Sequence, residues 1–207
     1  MAAMLAVTAG CSSMYYGAME KMGVHKRDIM VDRVKAARDT QQQTKEQFVS
    51  AMETFKSVVA FEGGELEEKY NRLNAALERS EDGATAVRNR IRAVEDVSQA
   101  LFKEWKAEIR QYTNETFRRS SQEKLDLTRK KYNSLIVAMK KAEARLEPAL
   151  TPLRDQVLFL KHNLNAQAIA GLSSELAGVQ GTVDRLVKEM EASIAEADEF
   201  ISSMKEG

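Results

Sequence analysis

Apolar residues recur along this chain in alternating steps of three and four, the spacing that lays them along one side of an α-helix. Met30, Val34, Ala37, Phe48, Ala51, Phe55 and Val58 carry the first seam and predict one amphipathic helix from about Met14 to Phe61. Gln41 and Thr44 stand on that seam midway, where polar residues cost stability but fix register. The run Gln41-Gln42-Gln43 otherwise reads as solvated surface. Gly63-Gly64 suits a left-handed helix end, and Glu65, Glu67 and Glu68 put negative charge into the next first turn, so a tight reversal is expected there. A second seam follows through Leu66, Tyr70, Leu73, Leu77, Ala84, Val87, Ile91, Val94, Leu101, Trp105 and Tyr112. Gly83, within Ser80-Glu81-Asp82-Gly83, is its weak point and the expected place of a kink.

The seam fails between Tyr112 and Ser121, and Ser120 with Glu123 makes a capping-box pattern, so a second reversal is expected there. The third helix runs through Leu125, Tyr132, Leu135, Met139, Ala142 and Leu146. It then meets Pro148 and Pro152, which either kink it or, with Thr151 as N-cap and Pro152 as first helical residue, begin a new one. Val157 to Leu160 is apolar on more than one face and reads as buried on several sides. From Leu164 the seam slips by way of Ala168 before settling at Leu172, Leu176, Val179, Val183, Leu186, Met190, Ala197, Phe200 and Met204. The slip is either a turn near Asn163 to Gly171 or a stutter in one helix that would overhang the rest and invite a partner. The preferred reading is a four-segment bundle. The fold class is all-α, an elongated antiparallel helical bundle or coiled coil of three to four long helices.

Composition agrees with long helices: 207 residues carry only two Pro and ten Gly, and 30% are charged. Lys plus Arg and Asp plus Glu both number 31, so there is no net field to draw nucleic acid. Aromatic residues, at 6%, are too scattered for a base-stacking platform. No nucleic-acid partner is expected.

The lone cysteine, Cys11, excludes an intramolecular disulfide and a cysteine-based metal site. It follows the short apolar stretch Ala2 to Gly10, about half the length of a membrane span. Thr8-Ala9-Gly10-Cys11 resembles a bacterial lipobox, although Thr8 stands where Leu is commonest and no Lys or Arg precedes the apolar run. The resemblance implies a signal segment over residues 1–10, acylation of Cys11, and a single helical domain over residues 11–207. Ser12 after the cysteine implies the outer membrane. Each buried acyl methylene contributes about 0.8 kcal/mol, so two or more chains hold a protein at a bilayer. The competing reading is an uncleaved N-terminus with an idle thiol.

Catalytic patterns are missing. The two histidines, His25 and His162, have no H-E-x-x-H spacing, Ser173-Ser174 has no elbow, and neither Gly17 to Gly23 nor Gly63-Gly64 completes a phosphate-binding loop. Glu67-Glu68 reads as a solvated helix pair and the ten methionines as seam packing. No enzyme, metal or cofactor is expected. His25 with Lys26, Arg27 and Asp28, and Arg154 and Asp155 with Lys161, His162 and Asn163, are the candidate interaction residues. They are either docking or pH-responsive patches or ordinary helix-surface salt bridges.

Tyr15-Tyr16, Ala18-Met19-Glu20-Lys21, Gly23-Val24-His25-Lys26-Arg27-Asp28-Ile29, Gly63-Gly64 before an acidic helix start, and the block from Arg154 to Ala166 together resemble an uncharacterised family of proteobacterial coiled-coil lipoproteins, known as a domain of unknown function. The resemblance spans nearly the whole chain and implies a helical, envelope-associated product with the lipobox reading of Cys11. The expected function is a non-enzymatic, periplasm-facing scaffold held to the membrane by its N-terminal lipid, with a protein partner or further copies of itself. The rival is a membrane-remodelling helical hairpin resembling phage-shock or sorting-complex assemblies.

Overall fold

In the computed structural model the described residues are Tyr16, Met19, 23–60 and 66–205. Their regular structure is helix: α1 (Lys26–Val59), α2 (Leu66–Ile109), α3 (Glu115–His162) and α4 (Ala166–Lys205). At 34, 44, 48 and 40 residues they are about 50 to 70 Å long. α1 packs on α2 and α4, and α3 packs on the same two, so the helices stand at the corners of a square. Neighbours run antiparallel. Arg38 of α1 reaches Asp198 of α4, and Lys45, one heptad later, reaches Glu191, one heptad earlier. The four-segment bundle expected from the seam is the fold.

The seams meet on the inside. Phe48, Phe55, Leu73, Ile91, Leu135, Met139, Leu146 and Phe200 are among the fully buried side chains. Gln41 and Thr44 are buried on the seam as well, and Ser193 Oγ of α4 donates to Gln41 Oε1 at 2.8 Å. The amide nitrogen of Gln41 has no protein partner.

Local chemistry moved several boundaries. The first helix does not run unbroken from Met14. Gly23 takes φ +81°, and the Val24 N–H bonds the Met19 carbonyl at 3.0 Å, the six-residue closure of a left-handed helix end. His25 then takes an extended backbone as N-cap of α1. The Gly63-Gly64 reversal, Cys11 and the 1–10 segment lie outside the described residues.

α2 continues through Gly83 without a break. Tyr112 does not extend the seam, because α2 ends at Ile109 and Tyr112 stands 42% exposed in the turn. The reversal falls at 110–114, ahead of the Ser120–Glu123 pattern. The Asn114 side chain there accepts from the amides of Thr116 at 2.9 Å and Phe117 at 3.2 Å, capping α3. Asn114→Ala is expected to cost about 1 kcal/mol, read as a lower urea midpoint at unchanged slope.

Neither proline breaks α3. The carbonyls they leave unbonded, on Ala144 and Pro148, belong to exposed residues and can turn to water. Val157 and Leu160 are buried, but Leu158 and Phe159 are 61% and 46% exposed, so the run is not enclosed on several sides. Among the described residues α3 packs chiefly on α2 and α4, and Leu158 and Phe159 lie on its outer face. The turn that was open between 163 and 171 is short, at 163–165.

Candidate functional site

The charged residues singled out in sequence form two groups, one at each end of the bundle. Lys26 bonds Glu104 at 3.1 Å and lies 6.0 Å from the Tyr16 ring centre. Arg27 donates to the Met204 carbonyl at the end of α4. His25 and Asp28 beside them are exposed. The second group lies beyond the other end of α4, about 60 Å away by the length of that helix. There Lys161 and His162 are exposed in the last turn of α3, and the Asn163 side chain donates to the Phe159 carbonyl at 2.9 Å. Asp155 is exposed. Arg154 is engaged within the fold, bonding both Glu81 and Glu147. The two groups form no common surface.

Arg154 belongs to a ladder that sequence reading missed. Across the α2–α3 seam, Glu81 pairs with Arg154, Arg88 with Glu147 at 3.2 Å, and Glu95 with Lys140 at 2.9 Å. The rungs are seven residues apart on each helix, and the signs alternate and complement each other. That alternation, Glu-Arg-Glu against Arg-Glu-Lys at heptad spacing, was the available signal. The hydrogen bond from Arg154 pulls the Glu147 carboxyl below its ordinary range; burial opposes this, and Arg88 adds to the lowering. Burial would lower the Lys140 ammonium, but its bonds to Glu95 and Glu143 outweigh this and raise it.

The depressed Glu147 contributes stability that is present above the ordinary glutamate range and lost as pH falls through its folded value. Glu147→Gln is therefore expected to shallow the acid side of the stability–pH curve, followed by circular dichroism, and to leave its alkaline side in place.

One heptad beyond the third rung the ladder stops, because Phe102 and Asn133 occupy the next positions. An open groove of about 520 Å³ lies there, lined by Ser98, Phe102, Lys103, Lys106, Arg129 and Asn133, with Gln99 and Tyr132 completing it. Phe102 and Tyr132 meet edge to face at 5.4 Å. The Arg129 guanidinium stands 5.4 Å from the Phe102 ring centre. Burial pushes the Tyr132 hydroxyl up, against a hydrogen bond shared with Ser98.

The α3–α4 hairpin exposes apolar surface. Leu158, Phe159 and Leu164 (41% exposed) project there, and residues 156–174 include no Asp or Glu. Among the described residues no group of His, Cys, Asp and Glu could hold a metal ion, and no helix is long and apolar enough to cross a membrane.

Compared with known proteins, residues 15–204 match a family model described as a protein of unknown function. No curated protein and no solved structure matches the chain.

Proposed function

Starting from a chain that belongs to the DUF2959 family, whose description assigns no activity, we propose a non-enzymatic envelope scaffold. In this reading the protein is tethered through an acylated Cys11, faces the periplasm, most simply from the outer membrane, and docks a protein partner or another copy of itself. The observation that carries the docking half is the α3–α4 hairpin. A bundle that encloses its seams leaves Leu158, Phe159 and Leu164 in solvent at one end, and exposed apolar clusters on soluble surfaces mark contact sites. The tether half rests on the resemblance of Thr8-Ala9-Gly10-Cys11 to a lipobox.

The two halves are tested separately. Cys11→Ala is expected to leave the membrane fraction while keeping its helical circular-dichroism spectrum; retention in the membrane would sink the tether. A photo-crosslinking residue at Phe159 is expected to trap one discrete envelope product that the same residue at exposed Arg185 does not. Equal smears from both positions would remove the docking site.

The same hairpin also favours membrane remodelling as a second reading, because its acid-free stretch suits contact with anionic lipid. Tubes or rings formed on vesicles by the wild type, and abolished by Phe159→Glu, would select that reading over a scaffold.

A further inference from the structure

We infer that the groove ending the α2–α3 ladder is a binding site for a phosphate monoester, with Lys103, Lys106 and Arg129 supplying the charge. Over three successive heptads of this seam the rung closes an acid against a base. At the fourth rung the acid is missing: Phe102 and Asn133 face one another, and all charged residues lining the groove are cations. None of the three makes an ion pair among those between described residues, whereas Arg38, Lys45, Arg88, Lys140 and Arg154 all bridge to another helix. Lys103 and Lys106 are exposed and Arg129 is half-buried; cations gathered along one groove without a counter-charge repel one another, and a bound anion relieves that repulsion.

The geometry selects the kind of anion. A carboxylate neutralises one cation, whereas a phosphate monoester is close to a dianion at neutral pH and offers three acceptor oxygens. Arg129 is half-buried and rests on the face of Phe102, so its planar fork is already oriented for two parallel bonds. Lys103 and Lys106 sit one turn apart on α2 and approach from the other wall. The Asn133 amide adds an uncharged donor, and the apolar edge of the groove comes from Phe102 and Tyr132. A volume of about 520 Å³ falls within the range of small-molecule sites. The phosphate could belong to a soluble ester or to a lipid headgroup, and the chemistry of capture is the same. This inference stands apart from the scaffold reading: it uses neither Cys11 nor the α3–α4 hairpin.

The test uses the full chain and two phosphate sources. Glycerol 3-phosphate is titrated by calorimetry, and phosphatidylcholine vesicles with and without phosphatidic acid are mixed with the protein and floated. The wild type is expected to bind at least one source, less tightly as salt rises. A triple variant, Lys103→Gln with Lys106→Gln and Arg129→Gln, is expected to lose about tenfold or more in affinity while its helical signal is kept. A second triple variant, Arg72→Gln with Lys161→Gln and Arg185→Gln, makes the same change in net charge away from the groove and is expected to bind like the wild type. Binding of the ester alone assigns a soluble ligand, and binding of phosphatidic acid vesicles alone assigns a headgroup. No binding of either source, or equal loss in both triple variants, overturns the site.

Discussion

Gly83→Leu is expected to destabilise the bundle by about 3 kcal/mol, among the larger effects of a single substitution on this fold. A Cβ on Gly83 would run into Gln47 Oε1 and would stand 2.8 Å from Thr44 Oγ1 and 3.0 Å from its Cγ2. Gln47 can swing its amide aside. Thr44 cannot: it is β-branched, buried, and fixed on the α1 seam, so α1 itself must move outward. A leucine adds three further carbons to a space already too small for one. Gly83→Ala is the informative companion. Alanine favours a helix interior over glycine by about 1 kcal/mol, and the collision with Thr44 works against that gain. Alanine is therefore expected to be at best neutral at position 83, although it should stabilise any exposed helical glycine. Urea unfolding of both variants checks the pair. A leucine variant as stable as the wild type would mean that α1 and α2 do not approach at this level.

Gly83 also shows how far the pattern of residues could be read. Hydrophobic spacing located the four helices and most core positions, because burying an apolar stripe dominates helix packing and leaves a three-four trace, while buried residues beside the seam such as Met52, Phe102, Leu150 and Leu153 were not picked out. What spacing cannot show is the distance between helices. A glycine in a helix reads as a defect when only its own backbone is considered, and its partner, Thr44, is 39 positions earlier in the chain. The second reversal was mislocated for a similar reason. Ser120 and Glu123 form a plausible cap, but Asn114 binds two amides by itself and ends the turn six residues sooner. The run from Val157 to Leu160 was read as enclosed from hydrophobicity alone, yet a corner helix of a square bundle has only two neighbours.

The candidate site was less legible than the fold. The two clusters marked by their charge density lie at opposite ends of the molecule; Lys26, Arg27 and Arg154 bond within the fold, whereas His25, Asp28, Asp155, Lys161 and His162 stay exposed. The groove beside Phe102 was passed over because no single residue in it is unusual. It emerges only when the α2 and α3 charges are set against each other in antiparallel register. The ladder then predicts an acid at the position that Phe102 and Asn133 occupy.

Removing the Ser193 hydroxyl is the other substitution with a large expected effect, and its partner explains why. Ser193→Ala deletes one oxygen from α4 and leaves Gln41, already without a partner for its amide nitrogen, with its carbonyl oxygen unpaired as well. Both residues are fully buried, so water cannot take the place of the lost bond without opening the core. A buried acceptor stripped of its donor costs about 1 to 3 kcal/mol. If Gln41 is replaced by leucine at the same time, the unpaired groups disappear and a seam residue joins the apolar core. The Gln41→Leu, Ser193→Ala double variant is therefore expected to be at least as stable as the wild type, even though each half of it removes the hydrogen bond that joins α1 and α4 through two fully buried side chains. The loss falls on specificity. Gln41 and Ser193 meet only when Arg38 is level with Asp198 and Lys45 with Glu191, whereas a more apolar α1–α4 seam tolerates sliding by a heptad more readily. The double variant should show broader amide-exchange protection and bind a hydrophobic dye that the wild type excludes, at an undiminished urea midpoint. A silent Ser193→Ala, within about 0.5 kcal/mol of wild type, would show that this bond neither stabilises the core nor sets its register.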